Sequence, residues 1–327
     1  MTLELGLDTF GDVTALPDGT PRPAGQVIRD VVEEAVLADR VGLDFFGIGE
    51  HHRADFAVSA PEVVLAAIAG RTERIRLGSA VTVLSSDDPV RVYERFATLD
   101  GVSDGRAEVI LGRGSFVESF PLFGYDLTEY EDLFEEKLEL FDALRTEKAV
   151  SWAGSKRASL KNQHVYPKTE RGSLTTWIGV GGSPESVVRT ARYGLPMMLA
   201  IIGGEPARFR PYVDLYWRAL GEFGWSEQPG GGPGRVGVHS PGTSPRPTSR
   251  PGRRSTSTSR RRTTGSAPSA AGRPTRAPAS GTTSGPTARC TSGRPRPWPR
   301  RSRRPSTGSA RPGSTSSTRP GRCPTRR

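Results

Sequence analysis

The chain has 327 residues and a formal net charge of +11, from 46 basic and 35 acidic side chains. A basic excess of this size ordinarily predicts a nucleic-acid or acidic-membrane partner. Here the excess is confined to residues 241–327, which hold 21 arginines and no acidic residue, so residues 1–240 are acidic overall. Composition therefore excludes a basic binding domain from residues 1–240, which we expect to form an ordinary soluble domain.

The basic segment at 241–327 contains no Leu, Ile, Val, Phe, Tyr or Met. It cannot bury enough apolar surface to offset the entropy of ordering its backbone, so we expect a disordered tail without specific nucleic-acid binding. Both cysteines, Cys290 and Cys323, lie there, so residues 1–240 have no disulfide or thiolate metal site. The sequence shows no signal peptide and no apolar run long enough for a membrane span, which favours a cytoplasmic protein.

Strand-like and helix-like runs alternate along the first 240 residues. Short apolar runs predict buried parallel strands over residues 3–7, 45–49, 75–83, 107–111, 176–180, 197–202 and 236–239. Amphipathic patterns predict helices over residues 27–38, 62–72, 89–103, 130–146, 183–193 and 207–224. Ser59 and Glu62 have the spacing of a capping box at the start of the second helix.

This alternation predicts an α/β fold, a (β/α)₈ TIM barrel that lacks its last βα unit. An open doubly wound sheet is the alternative, and it is disfavoured because no G-x-G-x-x-G follows the first strand. In a parallel barrel the functional groups lie in the loops after the strands.

Three of those loops carry candidate chemistry. His51 and His52 follow the second strand, where a histidine either acts as acid, base or hydrogen-bond donor, or simply holds the loop. Adjacent histidines diverge and no cluster of further ligands accompanies them, so we expect no metal site. Arg113 lies between two glycines after the fourth strand, which suits an anion site or a solvated turn. Residues 181–186 form a Gly-rich turn into a helix, either a phosphate cradle or an ordinary N-cap.

Four ordered motifs, "GEHHR", "DDPVRVYERFATLDGVSDGR", "LGRG" and "WIGVGGSPESVVRTARYGLP", resemble the bacterial luciferase-like monooxygenase family of flavin-dependent oxidoreductases. The resemblance extends to about residue 240. It implies a TIM barrel that binds FMN, or in some branches a deazaflavin, at the carboxyl-terminal mouth of the barrel.

The resemblance also implies roles for individual residues. His51 would face the reactive edge of the flavin as general base or stabilising group. Arg113 would contact the flavin phosphate. The residues implied to complete the cofactor site are Ser79 and Ala80 at the flavin ring, often beside a non-prolyl cis peptide, and Gly181, Gly182, Ser183 and Ser186 at the phosphate.

The activity implied is that of a monooxygenase, in which reduced FMN and O₂ oxygenate a small organic substrate. A flavin- or deazaflavin-dependent reductase or dehydrogenase on the same barrel, or an inactive truncated member, are the alternatives, and the sequence names no substrate. The resemblance further implies a separate flavin reductase as a partner and pairing of two copies as a homodimer.

The family continues past residue 240 with a last βα unit, where this chain has the basic segment. Read one base out of register, residues 289–292 permit Leu-Tyr-Val, and residues 242–255 permit a plausible helix. We therefore interpret residues 241–327 as out-of-frame translation that begins near Gly242, with residues 1–240 as the luciferase-like barrel. An evolved disordered basic tail is the alternative.

Overall fold

Parallel strands follow one another in chain order in the computed structural model, which describes residues 3–114, 116–203, 205–225 and 234–242. The ten strands are β1 (Gly6–Thr9), β2 (Phe45–Ile48), β3 (Arg76–Ser79), β4 (Thr82–Val83), β5 (Ala107–Gly112), β6 (Val150–Trp152), β7 (Leu160–Gln163), β8 (Thr175–Val180), β9 (Met197–Ala200) and β10 (Val236–His239). The main sheet has the order β1-β2-β3-β5-β8-β9-β10, and β4 extends the line of β3 along β5.

Every pair in the main sheet is parallel, and each strand pairs with the next in the series. A doubly wound sheet reverses its strand order at a switch point, and no such reversal occurs among the described strands. The α/β barrel prediction is therefore confirmed, and a strand lies at or near each of the seven predicted runs. The basic segment predicted to be disordered lies outside the described residues from position 243 onward.

Helices cover the sheet between its strands. They are α1 (Ala24–Val41), α2 (Pro61–Ala69), α3 (Pro89–Val102), α4 (Ser119–Phe123), α5 (Tyr130–Leu144), α6 (Pro184–Arg192) and α7 (Arg210–Glu222). The six predicted helices are confirmed. The short α4 and the antiparallel hairpin of β6 and β7, which lies between α5 and β8, were not predicted. No helix in the described ranges has the length and apolar character needed to cross a bilayer.

The capping box predicted at Ser59 and Glu62 is wrong. The helix α2 begins at Pro61, its N-cap residue is Ala60, and no side chain caps it. Ser59 therefore lies one residue too early to reach the free N–H groups. Glu62 instead lies 3.2 Å from Arg95 Nε on α3, and this pairing joins the two helices.

Polar side chains join the amino-terminal end of the sheet to its helices. Arg106, just before β5, donates hydrogen bonds to the carbonyl oxygens of Ala69, Thr72 and Ile75. Asp39 on α1 accepts hydrogen bonds from three consecutive backbone N–H groups at residues 73–75. These contacts stabilise the end of the sheet opposite the loops that follow the strands, which is the role expected of that end in a parallel barrel.

The first strand departs from its prediction. The predicted buried strand over residues 3–7 lies instead at Gly6–Thr9, and Leu5 and Leu7 are 58 % and 55 % exposed. Val238 on β10 is exposed to the same degree, at 58 %. In a closed barrel a helix packs against these outward-facing side chains, and no described element covers them here.

Side chains link β1 and β10, although no backbone hydrogen bond joins them among the described residues. His239 Nδ1 lies 2.6 Å from Asp8 Oδ2, and Arg235 Nη2 lies 3.0 Å from Glu4 Oε2. We call this junction the seam. The two ends of the curled sheet therefore face each other closely enough to enclose a common space.

Candidate functional site

A cavity of about 240 Å³ lies at the carboxyl ends of the strands. All strands of the main sheet are parallel, so the residues that follow them meet at one end of the sheet. The side chains and backbone that line it come from the strands of the main sheet, from the loops after six of them and from α4 and α5: Asp8, Phe10, Glu50, His51, His52, Ala80, Val81, Val83, Ile110, Gly112, Arg113, Gly114, Phe116, Glu118, Ser119, Tyr130, Gly179, Val180, Gly181, Met198, Ala200, Ile202 and His239.

The floor of the cavity is built around Val81. The Ala80–Val81 peptide bond is cis, and both residues line the cavity. Val81 packs directly on the backbone of β5 and β8. A Cβ added to Gly112 would lie 2.6 Å from Val81 Cγ2, and one added to Gly179 would lie 3.0 Å from Val81 Cγ1. Glycine at these two positions therefore leaves room for Val81 beneath the cavity.

His51 lies in an aromatic wall of the cavity. Its ring stacks on Phe56 at a centroid distance of 4.2 Å, and it meets Phe116 edge-on at 4.9 Å. Its Nδ1 atom lies 3.7 Å from Glu118 Oε1 on the loop before α4. Burial lowers the pKa of His51, and the negative charge of Glu118 opposes that shift. Burial thus favours the neutral form of the His51 imidazole, and the nearby carboxylate of Glu118 favours its charged form.

His52 holds the loop after β2, which is one of the two roles that the sequence allowed for the two histidines. Its Nε2 atom lies 2.9 Å from Glu50 Oε1, and both side chains are 10 % exposed. The second oxygen of Glu50 accepts a hydrogen bond from Val83 N at 3.0 Å. The hydrogen bond to Glu50 raises the pKa of His52. Glu50 therefore ties the loop after β2 to the segment that carries Val81.

Arg113 lies over the ring of Tyr130, with its guanidinium carbon 5.1 Å from the ring centroid. Its guanidinium is paired with the carboxylate of Glu131 on α5. The other oxygen of Glu131 lies 3.0 Å from Arg189 Nη2 on α6. Arg189 also pairs with Glu135, its Nε lying 2.6 Å from Glu135 Oε2, so the described contacts give Arg113 a single carboxylate partner, Glu131.

The Gly-rich turn after β8 forms the N-cap that the sequence allowed, and its two glycine N–H groups have no partner among the described residues. Ser183 is the N-cap of α6, because its hydroxyl accepts a hydrogen bond from Ser186 N at 3.2 Å. The Ser186 hydroxyl donates in turn to Ser183 O at 2.8 Å. The N–H groups of Gly181 and Gly182 donate to no acceptor within the described ranges. A Cβ at Gly181 would meet no atom within 4 Å, so a ligand has open access to this backbone.

The structure places the predicted site residues in two groups. Four of them line the cavity: His51, Ala80, Arg113 and Gly181. The other four are not among the residues that line it: Ser79, Gly182, Ser183 and Ser186. Ser79 is fully buried, and its hydroxyl accepts a hydrogen bond from Thr82 Oγ1 at 2.9 Å, so it supports the segment at Ala80 from below.

Sequence reasoning missed several polar residues at the cavity. Asp8, Glu50 and His239 each lie at or just after the carboxyl end of a strand, which is the position that marks function in a parallel barrel. That signal was available from the predicted strand ends. Glu118 gave no such signal, because the unpredicted turn into α4 brings it to His51.

Comparison with known proteins identifies the family to which the sequence belongs. The family model described as luciferase-like monooxygenase matches residues 9–230. The chain is 29 % identical over 209 residues to an alkanal monooxygenase alpha chain of Photorhabdus luminescens, a match that covers 61 % of this chain and 55 % of that one. The chain thus spans about half the length of the alkanal monooxygenase alpha chains that it matches.

Solved structures share the architecture. Monooxygenase RslO1 of Streptomyces bottropensis superposes with a TM-score of 0.60 at 26 % identity, over 68 % of this chain and 67 % of that one. Two structures at lower identity show the fold alone. One is a type II Baeyer–Villiger monooxygenase of Pseudomonas putida in complex with FMN, with TM-score 0.58, 20 % identity and coverage of 68 % and 64 %. The other is an F420-dependent secondary alcohol dehydrogenase, with TM-score 0.57, 19 % identity and coverage of 68 % and 66 %. Since the family model covers more than half of the sequence, this chain belongs to the luciferase-like monooxygenase family.

Proposed function

We propose that this chain is a flavin-dependent monooxygenase that binds reduced FMN in the cavity and uses O₂ to oxygenate a small organic substrate. The observation that carries the proposal is the convergence of Arg113, the Gly181 backbone, the Ala80–Val81 segment and His51 on one cavity. FMN, when bound, supplies the electrons that activate O₂, and the protein supplies position, proton transfer and exclusion of water.

The cavity residues fit the ring of a flavin. The floor at Ala80 and Val81 is apolar and lies flat against the sheet, because Gly112 and Gly179 have no side chains there. Ile110 and Met198 extend this apolar surface. A planar aromatic ring gains free energy from burial on such a surface, and no buried charge opposes it at the floor.

The phosphate would lie between Arg113 and the turn at Gly181 and Gly182. The free N–H groups of this turn and the amino terminus of α6 favour an anion. The hydroxyls of Ser183 and Ser186 are engaged in the cap, so we assign them the role of holding the turn in shape. We assign the contact with the phosphate to the backbone and to Arg113.

His51 would act on the substrate or on the reactive edge of the flavin. A neutral imidazole within an aromatic wall accepts a proton, and Glu118 at 3.7 Å is placed to stabilise the charged form that results. The rings of Phe56 and Phe116 pack against His51 and hold its imidazole in place.

Binding of FMN and of riboflavin, followed by quenching of flavin fluorescence, tests the cofactor site. We expect the Arg113→Ala variant to bind FMN about 10- to 100-fold more weakly, the usual loss for a hydrogen bond to a charged group, and to bind riboflavin as the unaltered chain does. Arg171→Ala is the matched control, since Arg171 is exposed at the opposite end of the sheet beside Gly105. Equal losses for both flavins would contradict the phosphate assignment.

Transfer of ¹⁸O from ¹⁸O₂ into a product tests the reaction. Photoreduced FMN and a panel of aliphatic and cyclic aldehydes and ketones provide a first assay. We expect the label in the product and consumption of O₂ with each turnover. Substrate reduction without uptake of label would favour the reductase alternative, and binding of F420 in preference to FMN would favour a deazaflavin. The reductase partner and the homodimer stay predictions.

A further inference from the structure

A second histidine lies at the cavity, on the seam between β1 and β10. His239 ends β10, and its Nδ1 atom lies 2.6 Å from Asp8 Oδ2 on β1. His239 and Asp8 line the same cavity as His51, and their side chains are 17 % and 25 % exposed, respectively. The ring of Phe10 meets His51 and His239 edge-on, with centroid distances of 5.1 Å and 6.4 Å. The two histidines are therefore separated by little more than one aromatic ring.

Asp8 is the charged group that faces His239. The neighbouring strand β9 contributes Met198 and Ala200 to this part of the cavity, and neither titrates. Just before its own strand, Arg235 is paired with Glu4 and lies over the ring of Trp177. The Nε2 atom of His239 makes no hydrogen bond to any residue that the structure describes.

We propose that His239 is a proton donor of this cavity and that Asp8 is its positioning residue, with Nδ1 held by the carboxylate and Nε2 directed at a bound ligand. The inference rests on the proposed function, because it supposes that a reacting ligand lies in the cavity. His51 and His239 then form two separate proton-transfer groups, one accepting and one donating.

The step is a simple proton transfer. A lone pair of a ligand oxygen that is gaining negative charge forms a new O–H bond with the Nε2 proton of the His239 imidazolium. The N–H bond electrons remain on the ring, which becomes neutral imidazole with Nδ1 still paired to Asp8. Water at the partly exposed rim of the cavity returns the proton.

The surroundings of the two histidines support opposite roles. Contact with Asp8 raises the pKa of His239 and outweighs the effect of burial. Burial lowers the pKa of His51. Two groups whose surroundings drive their pKa values apart are suited to act as acid and base at the same pH.

Titration of the histidine ring signals by NMR tests the pairing without any turnover. The chain has only 4 histidines, so a sample labelled at histidine gives few signals, and the His239→Asn variant assigns one of them. We expect the pKa of His239 in the unaltered chain to lie above the ordinary value of about 6.5. In the Asp8→Asn variant this pKa should be lower by about one unit or more. A value below about 6.5 in the unaltered chain would overturn the proposal.

The pH dependence of turnover tests the role. With photoreduced FMN, O₂ and decanal as the probe, we expect the rate to fall as pH rises through the pKa of His239. In Asp8→Asn this fall should move to lower pH by the interval that NMR measures, and Asp8→Glu should restore it. His239→Asn should lower kcat by about 10²-fold and remove the fall. His164→Asn is the control, because His164 is exposed on the strand β7 side of the molecule, away from the cavity.

The outcomes separate this inference from the proposed function. An unchanged pH profile in Asp8→Asn, while NMR shows that the pKa of His239 has moved, would overturn the donor role and leave the monooxygenase proposal standing. Failure of the unaltered chain to bind FMN or to consume O₂ would overturn both. Far-UV circular dichroism of each variant identifies one that has lost its fold, and for such a variant the titration of the unaltered chain decides.

Discussion

The guanidinium of Arg113 is paired with the carboxylate of Glu131, which also receives Arg189. Glu131 is 56 % exposed, so under the proposed function a phosphate that approached Arg113 from solvent would meet a carboxylate already paired with that guanidinium. The carboxylate and a phosphate therefore compete for the same donors.

This competition predicts the effect of Glu131→Gln. Because an exposed ion pair is worth up to about 1 kcal/mol, removing the charge should raise FMN affinity by about two- to fivefold. Fluorescence titration at low ionic strength measures the change, and riboflavin affinity should stay constant. A weaker affinity for FMN in this variant would mean that Glu131 orients Arg113 and does not compete with the ligand.

The absence of a side chain at Gly112 gives Val81 the space that it occupies at the floor of the cavity. A methyl group at this position would lie 2.6 Å from Val81 Cγ2, so Gly112→Ala must push Val81 into the cavity. We expect FMN affinity to fall at least about tenfold, because the ring would lose its contact surface. The double variant with Val81→Ala should recover part of the loss.

Gly101→Ala is the matched control for that substitution. A Cβ at Gly101 on α3 meets no atom within 4 Å, so this variant should keep its FMN affinity. It should also gain about 0.5–1 kcal/mol of unfolding free energy, because alanine is the better helix former. Equal loss of binding in both variants would point to a general effect of glycine replacement.

Lys137 predicts how stability depends on pH. Its Nζ atom donates to Ser85 O at 2.7 Å, and burial lowers its pKa to about 8, against the attraction of Asp87 and Asp88. In the unfolded chain the value is about 10.4. Between these values the unfolded chain binds more protons, so this group makes the free energy of unfolding rise as pH increases from about 8 to 10.

Lys137→Met removes that contribution. The unfolding free energy of the unaltered chain, relative to the variant, should therefore increase by about 1–3 kcal/mol between pH 7 and pH 10. Urea unfolding at the two pH values measures it. Lys148→Met at an exposed position should show no such change. A constant difference for Lys137→Met would mean that Lys137 keeps its ordinary pKa in the fold.

The change from folded sequence to basic segment predicts a frameshift that sequencing of the coding DNA can detect. Residues 236–239 pair in register with β9, and His239 contacts Asp8, so this stretch belongs to the barrel. We expect sequencing across codons 235–250 to show a gained or lost base relative to a frame that continues the family pattern. A confirmed sequence in the present frame would leave the evolved basic tail as the explanation.

The strand series was predictable because buried parallel strands appear in the sequence as short, continuous apolar runs separated by helical patterns. The loops at His51 and Arg113 followed from strand ends. The hairpin of β6 and β7 was not predictable, because β6 has only three residues, too few for its alternation of buried Val150 and Trp152 with Ser151 to stand out, and β7 is polar and largely exposed. The exposure of Leu7 was missed because the sequence shows that a residue is apolar but does not show which element, if any, packs against it.

The contacts between distant residues were also beyond sequence reasoning. Asp8 and His239 come together only because the whole sheet curls, and no local pattern reports that curvature. Glu131 reaches Arg113 through the angle at which α5 packs, and Glu118 reaches His51 through the turn before α4. Each is a result of tertiary geometry acting on an ordinary charged residue.

The seam between β1 and β10 makes the closure of the described ring dependent on salt. The other junctions of the sheet are backbone ladders, which dissolved ions barely affect, whereas the side chains at the seam meet mainly through two ion pairs. At 0.15 M salt, charges are screened over about 8 Å, and at 1 M over about 3 Å. The Arg235–Glu4 pair, whose side chains are 44 % and 47 % exposed, is open to this screening, whereas the less exposed contact of Asp8 with His239 in the cavity wall is screened much less.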